Sequence, residues 1–440
     1  MNEHERPKKF DKDKSKETSE DLERIMRRVE EMAEQLIEVR RDIHKHPELG
    51  FNEHRTARLI AERLNELGLE VEEGVGGTGV IGTLKGTEPG PTVAVRSDMD
   101  ALKVQEPESE HASVNEGIMH ACGHDAHVAA TLGVAEVLAN EKKDKGQKGD
   151  VLFIFQPNEE RAVEEKSGAV AMIKHLIRTG RWDKIDAFFA HHVVAEMPRG
   201  TVRMKEGVVL AGSSRFNVQI SGPGGHAARV DNVPNPVILG ARAISEISKE
   251  YGGSEPNTSQ EGIVVNPTFI ASGDTTSSNT IPPYGSFGGS IRITKVEDGN
   301  YNDLRKNIHN SLRAIVSEVV DPWRDGHIDG RVTFTSGTRP VIHRDAQMVK
   351  EAKEVCREVI PDVRFREDVI PYGEDFSFFV EPVKGRTIPG IYFGIGAANL
   401  EKGIPESQHH SPSFRIDEDV IPEATTILSY SVLRHLNKEK

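Results

Sequence analysis

The sequence has few cysteines, no cluster of basic residues and no long apolar run. Its two cysteines, Cys122 and Cys356, lie in unlike contexts, which excludes a disulfide framework and favours a reducing cytoplasm. Acidic residues exceed basic ones by 70 to 56, giving a net charge of -14, which argues against a nucleic acid or an anionic membrane as partner. No segment resembles a secretory signal or a membrane span, so we expect a cytoplasmic protein that acts on small molecules or peptides.

The length of the chain and the order of its patterns indicate more than one domain. Residues 1–19 are densely charged and predict a polar tail. From 20 to 209, apolar runs alternate with helical patterns, which is typical of an α/β domain with a largely parallel sheet. Residues 210–336 instead follow the order β-α-β-β-α-β, which predicts a small α+β domain inserted into the larger one. Helix and strand alternate again over 337–440, so the larger domain is predicted to be discontinuous.

Potential metal ligands follow the predicted strands of the α/β domain. The segments SDMD, NEE, HHV and HHSP each come after an apolar run or in the loop beyond one. Because the carboxyl ends of parallel strands meet at one edge of a sheet, side chains that are distant in sequence can converge there. The sequence therefore predicts one site at this edge.

The densest group of titratable residues lies in the segment MHACGHDAH. Cys122 and His124 flank a single glycine, which lets a thiolate and an imidazole approach one metal ion. A buried, inert thiol is the alternative for Cys122. Packing alone seldom requires five titratable residues within eight positions, so we predict that both residues are ligands. Cys356, in the helical pattern AKEVCREVI, is expected to be an ordinary buried residue.

Two adjacent carboxylates and two histidine pairs complete the candidate set. Glu159 and Glu160 follow a strongly apolar strand, where two like charges are costly unless a cation lies nearby. One can bind metal while the other faces a bound water as general base; alternatively, both are solvated at a helix N-terminus. Side chains alternate along an extended segment, so one histidine of each pair faces the site. The pairs are His191 with His192 and His409 with His410.

Seven motifs in order resemble those of the metal-dependent aminoacylase and carboxypeptidase family, within its branch of hippurate hydrolases and indole-acetyl-amino-acid hydrolases. The resemblance begins at RRDIHKHPELGF, extends to the C-terminal helix and includes SDMDAL, MHACGHDAH, FQPNEE, GPGGHAA, SSNTIP, GEDFSFF and HHSPSF. It implies a catalytic α/β domain with two divalent metal ions and an inserted lid domain through which chains pair as a homodimer or a higher homo-oligomer. It also implies hydrolysis of N-acyl or N-aroyl amino acids to a carboxylic acid and a free amino acid. Mixed Cys, His and Glu ligation suits Zn, Mn, Co or Ni.

Carried over motif by motif, the resemblance gives each candidate a role. The implied metal ligands are Cys122, His124, Glu160, His192 and His410. Glu159 resembles the general base, and Asp98 is expected to orient a ligand. In the lid, the resemblance implies that His226 and Asn279 hold the substrate carboxylate or the developing oxyanion. Arg292 joins them only because it follows GGSI, and an exposed strand arginine is the alternative.

The chain departs from the family pattern at a few positions. The family more often has FQPAEE, LHV, SEDF and LHSP where this chain has Asn158, His191, Gly373 and His409. The segment ALKVQEPESEHASVNEG also differs from the usual ALPIQE pattern, which leaves the choice of substrate open. One alternative function is a metallo-carboxypeptidase or dipeptidase that uses the same site. A non-catalytic metal-binding module is the other, against which Glu159 argues, because a binding protein needs no base.

Overall fold

The computed structural model of the protein describes residues 12–161, 166–228, 233–252, 262–296 and 301–438. In these ranges the α-helices are α1 (Lys12–Lys45), α2 (His54–Glu66), α3 (His124–Lys145), α4 (Gly168–Arg178), α5 (Pro236–Tyr251), α6 (Tyr301–Val320), α7 (Ala346–Val359), α8 (Ser377–Val380) and α9 (Val420–Leu436). Strands of the larger domain are β1 (Glu70–Val75), β2 (Gly79–Leu84), β3 (Glu88–Asp98), β4 (Lys148–Gln156), β5 (Ile185–Pro198), β6 (Thr201–Arg203), β7 (Gly207–Leu210), β14 (Val341–His343), β15 (Arg364–Arg366) and β16 (Gly390–Ala398). The remaining strands are β8 (Gly212–Ser221), β9 (Gly225–His226), β10 (Ile263–Ser272), β11 (Thr280–Ile281), β12 (Tyr284–Ile293) and β13 (Asp329–Ser336).

The larger domain is built on a mixed sheet. Within the described residues, this sheet has eight strands in the order β1-β2-β4-β3-β5-β16-β6-β15. Its four central strands, β4, β3, β5 and β16, are parallel. β1 pairs antiparallel with β2, β2 with β4 and β6 with β16, whereas β15 pairs parallel with β6. β2 and β16 are buried along their whole length, as expected for strands that are covered on both faces. The predicted α/β class with a largely parallel sheet is confirmed.

Helices cover both faces of this sheet. α1, α3 and α9 pack against one another on one face, and the residues of α4 and α8 form a second core on the other. α3 lies between the sheet and the outer helices, and a Cβ atom at Gly133 would come within 2.8 Å of Leu36 and 2.9 Å of Thr425. At the start of α3, Asp125 Oδ2 lies 2.8 Å from His44 Nδ1 of α1. This packing fixes the first turn of α3, where the segment with Cys122 enters the helix.

The segment from β8 to β13 forms a smaller α+β unit. Its antiparallel sheet has the order β10-β12-β8-β13, and α5 and α6 pack on one face over a separate core. The chain order β8-α5-β10-β12-α6-β13 agrees with the predicted β-α-β-β-α-β pattern. The bounds 20–209, 210–336 and 337–440 stay a prediction.

The N-terminal region differs in part from the expected tail. Residues 1–11 of the predicted tail lie outside the described residues, and α1 includes the other eight, 12–19. Among the described helices, none has both the length and the apolar character that a membrane crossing requires.

Candidate metal centre

The candidate residues come together at the carboxyl edge of the central strands. β3 ends at Asp98, which pairs with Gln156 at the end of β4. Glu159 and Glu160 follow β4, and His124 opens α3. These residues therefore lie together at the strand ends, as the sequence predicts.

One histidine pair lies inside a strand, which corrects the expectation that it follows one. β5 continues to Pro198, but its pairing with β3 ends where Arg96 faces Ala190. His191 and His192 lie just beyond that point, level with the end of β3. They reach the same edge because β5 is longer than its neighbour.

A first group of possible ligands consists of Cys122, His124 and His192, whose donor atoms lie within 4.8 Å of one another. Cys122 Sγ is 3.4 Å from His192 Nε2. His124 Nδ1 donates to the backbone oxygen of Asp100 at 2.9 Å, and His192 Nδ1 donates to that of Val193 at 2.6 Å. These bonds leave Nε2 of each ring available to a metal ion.

A second group consists of Cys122, Glu160 and His410, again within 4.8 Å. Glu160 Oε1 lies 3.2 Å from His410 Nε2. The backbone N–H of His410 donates to the oxygen of Ala121 at 2.8 Å, which ties its loop to the Cys122 segment. Cys122 therefore belongs to both groups, and together they contain the five predicted ligands.

The other histidine of each pair lies beside the groups. His409 Nδ1 is 3.7 Å from Cys122 Sγ, while His409 Nε2 accepts the N–H of Ala195 at 3.2 Å. His191 packs edge-on against His127 with ring centres 5.0 Å apart. The ranking of His192 and His410 above their neighbours stays a prediction, and this geometry favours it.

A glycine is required between the candidate ligands Cys122 and His124. Gly123 has a φ of 92° and precedes the first residue of α3. A Cβ atom at this position would lie 2.4 Å from Val193 Cγ2. Only glycine adopts this φ at low cost and leaves that space, so it allows the turn that brings Cys122 and His124 together.

Asp100 is a functional candidate that the sequence analysis missed. Its two carboxylate oxygens accept the backbone N–H groups of Glu159 at 3.0 Å and Glu160 at 3.1 Å. Its own backbone oxygen accepts the bond from His124 Nδ1. The available signal was the alternation in SDMD, which places Asp98 and Asp100 two residues apart on the same side of an extended segment.

Asp98 contacts a residue that was not in the predicted set. Its Oδ1 accepts a 2.6 Å hydrogen bond from Nδ1 of His127, whose Nε2 accepts the N–H of Val193 at 3.0 Å. Asp98 Oδ2 also lies 3.8 Å from His124 Nε2. Asp98 therefore orients His127 and, through it, the backbone next to His192; its predicted role toward a ligand stays untested.

The predicted base, Glu159, belongs to a third group, which consists of three carboxylates. Donor atoms of Glu159, Glu374 and Asp375 lie within 4.8 Å, all buried. The guanidinium of Arg96, also fully buried, lies 3.0 Å from Glu374 and 2.9 Å from Asp375. Burial raises the pKa of Glu159 well above its usual range, and the charge of Glu374 adds to the effect.

The electrostatics of the centre favour a cation. Burial and the charges of Glu160 and Glu159 raise the pKa of the Cys122 thiol well above its usual value. Burial lowers the pKa of His124, but the nearby carboxylates, led by Asp98, outweigh it and raise that pKa to about 10. His124 Nε2 and Glu160 Oε1 are buried without a hydrogen-bond partner. These orphaned atoms and the Cys, His and Glu donor set fit divalent metal ions.

The candidates in the smaller unit lie in two places. His226, in β9, is exposed and pairs with Thr280 of β11, and the N–H of Ala227 donates to the oxygen of Asn279 at 2.9 Å. Arg292 lies in β12, in a different sheet, where burial lowers its pKa. The structure therefore brings His226 and Asn279 together and places Arg292 elsewhere; the roles of all three stay predictions.

An α/β sheet with thiol, imidazole and carboxylate donors at its carboxyl edge, and a further buried carboxylate beside them, defines a metallohydrolase. The sequence pattern of Peptidase family M20/M25/M40 matches residues 94–434, and the chain belongs to this family. This confirms the family predicted from the motifs. The chain is an amide-bond hydrolase, which argues against the non-catalytic binding module.

Named relatives cover almost the whole chain. Thermostable carboxypeptidase 2 of Saccharolobus solfataricus is 32% identical over 95% of this chain and 99% of the relative. IAA-amino acid hydrolase ILR1-like 2 of Arabidopsis thaliana is 33% identical over 93% and 87%. N-acetylcysteine deacetylase of Bacillus subtilis is 32% identical over 89% and 94%. Among solved structures, the Bacillus subtilis YXEP protein, described as a dinuclear metal binding peptidase, has a TM-score of 0.74 and 27% identity over 93% of this chain and 99% of that chain.

We expect metal binding to release a proton from Cys122. The buried thiol is neutral at pH 7 because its pKa is raised, whereas a ligand has to be a thiolate. The apparent affinity for Zn²⁺ should therefore rise with pH across the neutral range. Calorimetric titration with Zn²⁺ in buffers of different ionisation enthalpy should show about one proton fewer released by Cys122→Ser than by the wild type. Cys356→Ser, which changes the other buried thiol, is the matched control; equal proton release by all three proteins would remove Cys122 from the ligand set.

We expect Asp100→Asn to impair turnover more than metal binding at the first group. The amide has one acceptor oxygen and would turn an NH₂ group toward the N–H of Glu159 or Glu160, so one of the two bonds is lost. Steady-state kinetics at saturating metal should show kcat reduced roughly 10- to 100-fold. Glu108→Gln, which neutralises an exposed acid outside the centre, serves as control. An Asp100→Asn enzyme with unchanged kcat would show that these two bonds do not matter.

Proposed function

We propose that the protein uses two divalent metal ions to hydrolyse the amide bond of N-acyl or N-aroyl amino acids, releasing a carboxylic acid and a free amino acid. The observation that carries this proposal is the position of Cys122, which is common to two groups of donors. Glu159 lies beside these groups, with its donor atom within 4.8 Å of those of His124 and Glu160.

The two donor groups, which share Cys122, would hold two ions. His124 and His192 would complete one site, and Glu160 and His410 the other. Thiolate, imidazole and carboxylate ligands suit Zn, Mn, Co or Ni. A thiolate ligand needs reducing surroundings, which supports a cytoplasmic location.

Glu159 is suited to moving one proton between water and the leaving group. When bound, the two ions would supply a water that ionises near neutral pH and would polarise the amide carbonyl. Glu159, fixed by the bond from its N–H to Asp100, takes the proton from the attacking water. The protonated carboxyl of Glu159 then gives that proton to the amine nitrogen as the C–N bond breaks. One water is consumed, with its hydroxyl on the acid and its proton on the amine.

The relatives support amino acid conjugates as substrates. The names IAA-amino acid hydrolase and N-acetylcysteine deacetylase both describe an amino acid that carries an acyl group. We propose that His226 and Asn279, which are neighbours in the smaller unit, hold the substrate carboxylate or the oxyanion. The part of Arg292 in substrate binding is the weaker proposal, because it lies in a different sheet.

A second candidate function is that of a carboxypeptidase or dipeptidase with the same centre. Two relatives of Saccharolobus solfataricus, each 32% identical, are named thermostable carboxypeptidases. The chemistry at the amide would be the same. A free α-amine in place of the N-acyl group distinguishes dipeptides from the proposed substrates.

We also propose that two chains pair through the smaller unit. β10 is an edge strand of its sheet, so one row of backbone N–H and C=O groups is open to a further strand. Ile270 of β10 faces the helix side, because its partner Phe287 is buried in the core, and it is 51% exposed. Ile238 of α5 is 56% exposed on the same side. A second copy of this chain, pairing β10 with β10, would cover both side chains.

Glu159→Gln should retain both metal ions but lose turnover. The amide keeps the shape of the side chain and cannot accept the proton from water, so kcat should fall roughly 10²- to 10⁴-fold. The assay uses metal-loaded protein with hippurate, N-acetyl amino acids, indole-acetyl amino acids and a dipeptide panel, with metal content measured on the same samples.

The panel also separates the two candidate functions. Turnover of the acylated amino acids alone supports the proposal, and turnover of dipeptides alone supports the peptidase. A wild type that hydrolyses neither class, or a Glu159→Gln variant with normal kcat, would refute the mechanism. Glu108→Gln again controls for loss of an acidic side chain.

Ile270→Lys should dissociate the proposed dimer. A charge in an edge-strand contact has to be desolvated when a second copy docks, which disfavours pairing. Sedimentation velocity should then show a monomer where the wild type is dimeric. Leu400→Lys, at a side chain that is 78% exposed outside this unit, is the matched control. A monomeric wild type would contradict the proposed pairing.

A further inference from the structure

The segment that carries Glu159 and Glu160 begins at a residue with unusual backbone geometry. Asn158 has a φ of 49°, in the left-handed region, and is almost fully buried. Asparagine is among the few residues other than glycine that adopt this conformation readily, whereas alanine is disfavoured there.

The backbone of Asn158 is anchored to the N-terminal part of the chain. Its N–H donates to Glu53 Oε1 at 2.9 Å. Glu53 is fully buried, and its other carboxylate oxygen accepts the hydroxyl of Thr78. Glu53 immediately precedes α2, and Thr78 immediately precedes β2. The backbone at Asn158 is therefore tied to the start of a helix and to the start of a strand.

The side chain of Asn158 closes the other end of the same segment. Its Nδ2 donates to the backbone oxygen of Lys166 at 2.7 Å. Its backbone oxygen accepts the N–H of Gly168, the first residue of α4, at 3.3 Å. Asn158 thus binds the chain on the far side of Glu159 and Glu160, and an alanine side chain has no donor for this purpose.

Space for the Asn158 amide comes from Gly50. A Cβ atom on Gly50 would lie 2.1 Å from Asn158 Oδ1 and 2.8 Å from its Cγ, well inside van der Waals contact. Any other residue at position 50 would push the amide away from Lys166. The two positions therefore form a matched pair, one with the amide and one without a side chain.

We propose that Asn158, with the space left by Gly50, is a positioning residue that holds Glu159 and Glu160 in place for the two-metal reaction. The inference rests on the proposed function only for the roles of these two glutamates. Asp100 fixes their backbone N–H groups from one side, and Asn158 ties the backbone immediately before them to Glu53 and to Lys166. Loss of the Asn158 bond should displace the Glu160 ligand and the Glu159 base together.

The test is a double-mutant cycle of Gly50→Ala, Asn158→Gly and the double variant, with Asn158→Ala as a fourth protein. Glycine at 158 keeps the positive φ and removes the amide, whereas alanine removes the amide and disfavours the φ. We expect kcat at saturating metal to fall about tenfold in Asn158→Gly, and further in Asn158→Ala, with KM within about twofold of the wild type. Gly50→Ala should fall similarly, but should add nothing in the Asn158→Gly background, where no amide remains to be displaced.

Metal titration gives a readout that needs no substrate. Calorimetry with Zn²⁺ should show one of two dissociation constants raised about tenfold in Asn158→Gly, with the other unchanged. Thermal unfolding of the metal-free proteins verifies that each variant folds. Wild-type kcat and metal affinities in Asn158→Ala, or effects of Gly50→Ala and Asn158→Gly that multiply, would overturn the inference. If the wild type hydrolyses no substrate, the proposed function fails, while the titration still decides the inference.

Discussion

The buried guanidinium of Arg96 balances the negative charge on which the centre depends. Its nitrogens lie 2.8 Å from Asp98, 3.0 Å from Glu374 and 2.9 Å from Asp375. Its Nε donates to Gln156 at 2.9 Å. An uncompensated carboxylate in such surroundings would cost several kcal/mol or take up a proton. The Arg96 side chain therefore joins the ends of β3 and β4 to the loop before α8, and the acids of the centre are arranged around it.

The charge that Arg96 leaves unbalanced explains why the edge of the sheet suits metal ions. Asp100, Glu159, Glu160 and the Cys122 thiol add further negative or potentially negative groups within the same buried region. Without a cation, burial raises the pKa of the thiol and of Glu159 and so favours their protonated forms. A bound ion reverses that preference for a ligand, because it favours the ionised form of the donor. Arg96 contacts Asp98, Glu374 and Asp375, whereas His124 Nε2 is left without a hydrogen-bond partner.

The fold and the grouping of most candidate donors could be predicted because their signals are local or periodic. Strand and helix differ in the spacing of apolar residues, and the strand-end rule places loops such as the one with Glu160 at a common edge. The Gly123 turn was also readable, because Cys122 and His124 flank it directly. The histidine pair in β5 was placed wrongly, since the sequence does not show how far a strand extends past its neighbour.

Contacts that depend on the path of a loop could not be predicted from the sequence. Asp100 acts through the backbone N–H groups of Glu159 and Glu160, and nothing in the letters SDMD says which loop its carboxylate will meet. His127 likewise shows no sign in sequence that both of its ring nitrogens are used by Asp98 and Val193. Such bonds arise only when separate strands are brought side by side. Pattern analysis therefore finds donors to metal more readily than the residues that hold those donors.

Adjacent glutamates can have different roles because their surroundings diverge within one residue. Asp100 accepts an N–H from each, so both backbones are fixed to the same carboxylate. From that common point Glu159 reaches Glu374 and Asp375, where neighbouring acids make ionisation costly and a proton is readily held. Glu160 reaches His124 and His410, where imidazoles and the shared thiol surround its Oε1. The proposed division between base and ligand thus rests on what each side chain contacts, and a single fixed backbone segment is enough to allow it.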